Sequence, residues 1–322
     1  MTIKSLLENQ PEVIKFIKNS YESKYLSHAY IFEGPNGSGK MEGAIYTAMM
    51  LLCESDERPC LRCHNCIKVE KKTHLNVMCV EPTNDLIKKE QIEDFIHELS
   101  MTPLEKGAQI GIIKDADKMN TAAANALLKL LEEPAPNHYI FLLTSHIDKM
   151  LPTIVSRAQV VRFKPVPGKF IMESLKENGV ETDISYVLSY ITNDLDDAKE
   201  MIALGKAYNA LSLALDVEKA IAKNKDPYGY FYKHSKDLKA ETDKKWHRIF
   251  LDILLLINKE LINYSKTKKI TYFKELMELY SDNINIEKVL HRIEVINKYQ
   301  ERLNYYVNIN LFYASLMVEL NK

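Results

Sequence analysis

Residues 34–41 read Gly34-Pro35-Asn36-Gly37-Ser38-Gly39-Lys40-Met41, directly after the apolar run Ala29-Tyr30-Ile31-Phe32. A strand followed by G-x-x-x-x-G-K demands a parallel α/β layout, because the loop must end in a helix whose N–H groups face a phosphate. The glycines let backbone amides wrap the anion, and Lys40 supplies an ammonium. The next position normally carries Ser or Thr, whose hydroxyl holds Mg²⁺. Here it is Met41, and a thioether is a poor ligand for a cation that prefers hard oxygen donors. The loop therefore predicts a nucleotide-binding fold with poor or absent hydrolysis.

The rest of the first half keeps the same rhythm. Strands are predicted at Ala29–Glu33, Val77–Glu81, Ile110–Asp115, Tyr139–Thr144 and Val160–Lys164, each followed by polar or helix-starting residues. Ala124, Leu127, Leu128 and Leu131 share one helical face between a capping Asn120 or Thr121 and the stop at Pro134. Another helix is expected from Glu90 to Leu99, ending before Met101-Thr102-Pro103. Beyond the hinge Lys164-Pro165-Val166-Pro167-Gly168, strand-like runs stop and helical periodicity takes over. Tyrosines such as Tyr305, Tyr306 and Tyr313 either pack a helical bundle or furnish an assembly surface.

The strand at Ile110 delivers Asp115-Ala116-Asp117. In many ATPases with such a loop an aspartate here helps hold Mg²⁺ and the following glutamate polarises the attacking water. Asp115 is present and Ala116 stands where the glutamate would be. Asp117, on an extended segment, need not face a nucleotide. Both losses fall in one site. Pro152-Thr153-Ile154-Val155-Ser156-Arg157 precedes the fifth strand. An arginine there is badly placed for its own loop but could reach a neighbour's γ-phosphate; a surface ion pair is the plainer alternative.

Four of five cysteines, Cys53, Cys60, Cys63 and Cys66, crowd into fourteen residues. Two overlapping C-x-x-C knuckles plus Cys53 could form a tetrahedral structural zinc site; an iron–sulfur cluster or free thiols are the alternatives. His64 could replace Cys53 but sits inside the knuckle. Cys79, in an apolar run, is expected to be buried.

Net charge is −1, from 43 basic and 44 acidic residues, so no global positive field draws the chain to nucleic acid. A zinc-dependent nucleic-acid module is disfavoured further by the acidic insert Glu54-Ser55-Asp56-Glu57-Arg58. The opening residues lack a signal-peptide pattern, and no run of apolar residues is long enough for a membrane span. A cytoplasmic location with no membrane partner is expected.

In order and spacing, His28–Phe32, the phosphate loop, the four-cysteine insertion, Asp115-Ala116-Asp117-Lys118-Met119, Asn125–Pro134 and Ser156-Arg157 resemble the delta-prime subunits of bacterial DNA polymerase III clamp loaders, a family of AAA+ proteins. The motifs cover residues 1–165; the helical remainder fits in length and pattern only. The resemblance implies an α/β P-loop (AAA+) domain with a parallel five-stranded sheet over 1–166, carrying a zinc insertion at 53–66. A helical lid over 167–206 and an all-α collar over 207–322 would follow.

It further implies a non-hydrolysing subunit, with no ATPase activity of its own, in a pentamer with gamma or tau ATPase subunits and one delta subunit. That assembly places a sliding clamp on primed DNA. Arg157, beside Ser156, would be the arginine finger donated in trans, although Ala158 replaces the family's cysteine. Cys53, Cys60, Cys63 and Cys66 would be zinc ligands. Gly34, Pro35, Asn36, Gly37, Ser38, Gly39, Lys40, Met41 and Asp115 would form a vestigial nucleotide site that binds ATP or ADP weakly. In the lid, Asp196 stands where hydrolysing relatives carry a nucleotide-sensing arginine. An active ATPase of the same fold, a loader motor or helicase loader, is the alternative.

Overall fold

A computed structural model describes residues 3–101, 106–236, 243–280, 284–305 and 308–321. The chain forms two compact units, Met1–Pro167 and Gly168–Lys322. The expected helix stop at Thr102-Pro103 and Tyr306 lie outside the described residues.

The first unit is built on a parallel sheet of five strands. These are β1 (Ala29–Glu33), β2 (Val77–Val80), β3 (Gln109–Ile113), β4 (His138–Thr144) and β5 (Gln159–Arg162), in the order β2-β3-β4-β1-β5. In register, Ile31 lies opposite Leu142 on β4 and Val160 on β5. The central strands read as unbroken apolar runs because both faces are covered, as parallel sheets require. Tyr30, Phe32, Phe141 and Leu143 point to one layer, shared with α1 (Ile3–Asn9), α2 (Pro11–Glu22), α3 (Lys40–Leu52) and α4 (His64–Glu70). Ala29, Ile31, Ile140 and Leu142 point to the other, against α5 (Lys89–Ser100), α6 (Thr121–Glu132) and α7 (Pro152–Val155). Helix α5 packs so closely that a Cβ at Gly111 of β3 would meet Phe95 Cζ at 2.3 Å. Asn120 caps α6, accepting from the Ala123 N–H at 2.8 Å.

Three expectations need correction. Cys79 is exposed. Strand β2 is an edge strand, so its outward side chains border solvent, beside a groove that also contacts Glu81, Asp94 and Phe95. Nor does the third strand reach Asp115. It ends at Ile113, Asp115 turns into the left-handed region at φ 48°, and Ala116–Lys118 form a 3₁₀ turn. Asp117 is thus not on an extended segment: its carboxylate accepts from Thr144 Oγ1 at 2.6 Å.

The second unit is helical throughout its described residues: α8 (Gly168–Glu177), α9 (Thr182–Ile191), α10 (Leu195–Ala203), α11 (Lys206–Ala222), α12 (Pro227–His234), α13 (Lys244–Thr267), α14 (Lys274–Tyr280), α15 (Ile286–Arg302) and α16 (Ile309–Leu320). Asp194, Asp226, Asp243, Asn285 and Asn308 each cap a helix start with a side-chain oxygen, so polar residues punctuate this long apolar sequence. Helix α13 runs through the middle, burying Phe250, Leu251, Ile253, Leu254 and Ile257. In its core the carboxylate of Glu218 meets Arg292 at 2.8 Å, Tyr280 at 3.1 Å and Asn258. Of the tyrosines, Tyr313 is buried and Tyr305 exposed. Tyr186 stacks on Tyr272 at 3.5 Å, and its hydroxyl donates to Glu260.

Candidate functional site

The loop between β1 and α3 has the shape its glycines permit. Gly37 and Gly39 take φ of 73° and 91°, values open to glycine at no steric cost. Gly34 is needed for another reason: a Cβ there would meet the Phe163 carbonyl oxygen at 2.6 Å. Lys40 begins α3 and is buried. Its ammonium donates to the Gly34 and Pro35 carbonyls at 2.5 and 2.8 Å and to Ser145 Oγ at 3.3 Å. Ser145, just past β4, donates in turn to Asn36 Oδ1 at 2.8 Å.

Gln10, in the link between α1 and α2, holds the loop from behind. Its amide donates to the Ser38 carbonyl at 2.9 Å and the Lys164 carbonyl at 2.7 Å, and accepts from Lys164 N–H at 3.2 Å. The hydroxyl of Ser38 is buried with no hydrogen-bond partner among the described residues. An intact backbone cradle, a lysine and this orphaned hydroxyl fit a phosphate. The metal position does not: Met41 packs against the apolar layer of α1, α2 and α3.

The acidic turn after β3 offers little more. Asp115 lies 3.5 Å from the Lys118 ammonium, which also pairs with Asp85 at 2.9 Å. Ala116 is buried in the second apolar layer. Asp196 is exposed on α10, within 4.0 Å of Lys199.

Arg157 follows α7 on the surface. Its Nε and Nη2 both point at Glu132 Oε1, at 2.9 and 2.7 Å. Nη1 donates to the Thr153 carbonyl at 3.0 Å and to Ser156 Oγ at 3.3 Å. Ser156 thus helps seat the arginine that follows it. Ser145 and Gln10 escape a reading by motif, and Glu132 lies inside the Asn125–Pro134 motif but is given no role by it. Ser145 could have been found as the first polar residue but one after the fourth apolar run, and Glu132 as an acid at a helix C-terminus, where the dipole disfavours it.

All four knuckle cysteines come together, their Sγ atoms within 4.8 Å of one another, and His64 is not among them. A tetrahedral zinc with bonds of ~2.3 Å needs sulfurs ~3.8 Å apart, and Cys53 and Cys63 stand at 3.9 Å. Backbone amides already point at sulfur: Cys60 N–H to Cys53, Cys63 N–H to Cys60 and Cys66 N–H to Cys63, at 3.3–3.5 Å. The amides of Arg62 and Cys63 pull the Cys60 thiol down to about 6. For Cys63, burial is outweighed by amides of Cys66 and Glu54, and its value falls; burial pushes Cys66 up. Asn65 ties the loop to α3 by donating to the Leu52 carbonyl at 2.9 Å. The donor set and its spacing fit a thiolate-bound metal.

No helix among the described residues is long and apolar enough to cross a membrane. A family model described as "DNA polymerase III, delta subunit" matches residues 9–167. The chain is 30% identical to DNA polymerase III subunit delta' of Bacillus subtilis, across 99% of this chain and 98% of that protein. It is 32% identical to DNA polymerase III subunit tau of the same organism over 51% of this chain and 29% of that one. A crystal structure of a gamma subunit-related protein from Thermotoga maritima superposes with a TM-score of 0.45 at 18% identity, covering 95% of this chain and 98% of that one. With a P-loop sheet, a helical second unit and a delta' relative matched nearly end to end, the chain belongs to the delta' subunits of the DNA polymerase III clamp-loader family.

Proposed function

We propose that this chain is a non-hydrolysing member of a clamp loader that donates Arg157 in trans to the ATP site of a neighbouring gamma or tau subunit. The observation that carries the reading is Met41: the phosphate cradle is intact, yet its metal position holds a thioether packed into the apolar layer. Ala116, buried where a water-polarising carboxylate would be, agrees with it. Arg157 supports the second half, being an exposed guanidinium whose hydrogen bonds among the described residues go to Glu132, Thr153 and Ser156 and not to the chain's own phosphate loop.

In this reading the partners are the gamma or tau subunits and a delta subunit, and through the assembly a sliding clamp and primed DNA. The lid is residues 167–206 and the collar 207–322, with cytoplasmic location following from that role. Cys53, Cys60, Cys63 and Cys66 hold one structural Zn²⁺. The loop from Gly34 to Lys40 retains weak affinity for ATP, ADP or inorganic phosphate without turnover.

The isolated chain with Mg²⁺-ATP tests the first half. No phosphate release is expected, together with a small rise in melting temperature at millimolar nucleotide, since a ligand that binds only the native state stabilises it. Sustained turnover would make the chain a motor and overturn the proposal.

A further inference from the structure

We infer that Glu132 is a positioning residue for Arg157: in the free subunit it occupies the guanidinium edge that a phosphate must take. This rests on the trans-acting reading of Arg157. A guanidinium has five N–H donors: one on Nε and two on each terminal nitrogen. Nε donates to Glu132 Oε1 at 2.9 Å, and Nη2 stands 2.7 Å from the same oxygen as an ion pair. Both Nη1 donors have acceptors as well, the Thr153 carbonyl at 3.0 Å and Ser156 Oγ at 3.3 Å. Any two parallel N–H groups must include Nε or Nη1, and both already donate. Recognition of phosphate by arginine is strongest when two parallel N–H groups act together, so Arg157 cannot offer a pair without giving up an acceptor.

Glu132 is the acceptor that a phosphate replaces most naturally, being the one anionic acceptor of the three. Thr153 and Ser156 stay behind as a neutral seat on the Nη1 side. Glu132 is the last residue of α6, where the helix dipole disfavours a carboxylate. Its side chain and that of Arg157 are 48% and 36% exposed, so the pair is open to a competing anion. Exchange of one anion for another keeps the guanidinium neutralised at every stage, and sets a threshold that a neighbour's γ-phosphate must overcome.

The test uses the reconstituted loader carrying wild type, Glu132→Gln, Arg157→Ala or both, with ATP KM and kcat measured separately. Glutamine keeps the shape and removes the charge. Glu132→Gln is expected to lower the ATP KM by about two- to fivefold, the span an exposed ion pair allows, without lowering kcat. The double variant should match Arg157→Ala alone. A kcat that falls with Glu132→Gln would make Glu132 a mere support and overturn the inference, as would a KM gain that persists without Arg157. If Arg157→Ala slows hydrolysis while Glu132→Gln leaves KM unchanged, this inference fails and the trans-acting reading stands. If Arg157→Ala changes nothing, that reading itself fails.

Discussion

Gln10 bonds to Lys164 across 154 residues of sequence, its amide donating to the Lys164 carbonyl at 2.7 Å and accepting from the Lys164 N–H at 3.2 Å. The same amide also donates to Ser38, so one buried side chain joins the start of the first unit, its phosphate loop and the exit from β5.

Gln10→Leu should therefore destabilise the first unit. It leaves the carbonyls of Ser38 and Lys164 without this donor, at a cost of about 1–3 kcal/mol for each group left unpaired. Thermal unfolding should fall by several degrees. An unchanged melting temperature would mean that water replaces the amide without loss.

Glu218 and Arg292 should behave as a pair. Their side chains are 0% and 5% exposed. Removing one partner strands a buried charge, at about 3–5 kcal/mol, whereas replacing both with apolar residues is often close to neutral. Arg292→Met should thus be markedly less stable than Glu218→Leu/Arg292→Met in urea unfolding. Equal losses from the single and double variants would show that the two charges do not depend on each other.

Asp252 gives a pH signature. Burial raises its carboxyl above the ordinary value, more than Arg248, Lys259 and Gln300 lower it. A raised value in the folded state means the contribution to stability is complete below about pH 4 and lost as pH climbs through the folded value. Asp252→Asn, which keeps an oxygen for the 2.7 Å bond from Gln300, should raise the melting temperature at pH 7. That gain should shrink toward acid. A gain that is equal at all pH values would contradict the role of burial.

The knuckle makes a compositional prediction. Metal analysis should find about one zinc per chain, bound as tetrahedral thiolate. Cys66→Ser should lose that metal and expose the 53–66 loop to protease while the sheet remains folded. Iron in place of zinc, or full zinc content in the variant, would remove the assignment.

Much of the first unit was legible because its signals are local. Runs such as Tyr30–Phe32 and Ile140–Leu143 are apolar throughout, since both faces of a parallel sheet are covered. The four cysteines lie close in sequence, so spacing alone brought them together. Cys79 is exposed although its run is apolar, because an apolar run does not tell an edge strand from a central one. The third strand stops two residues short of Asp115 because its end depends on a left-handed turn that Asp tolerates. Gln10, Glu132 and the Glu218–Arg292 pair act with partners 25 to 154 residues away, and no periodicity reports such contacts.

The most direct measurement is DNA-stimulated ATP hydrolysis by the reconstituted loader, comparing wild type with Arg157→Ala. Loss of one finger donor should slow turnover at one ATP site by about 10³-fold or more, with assembly of the complex intact. Full activity with Arg157→Ala would contradict the trans-acting role and reduce this chain to a scaffold.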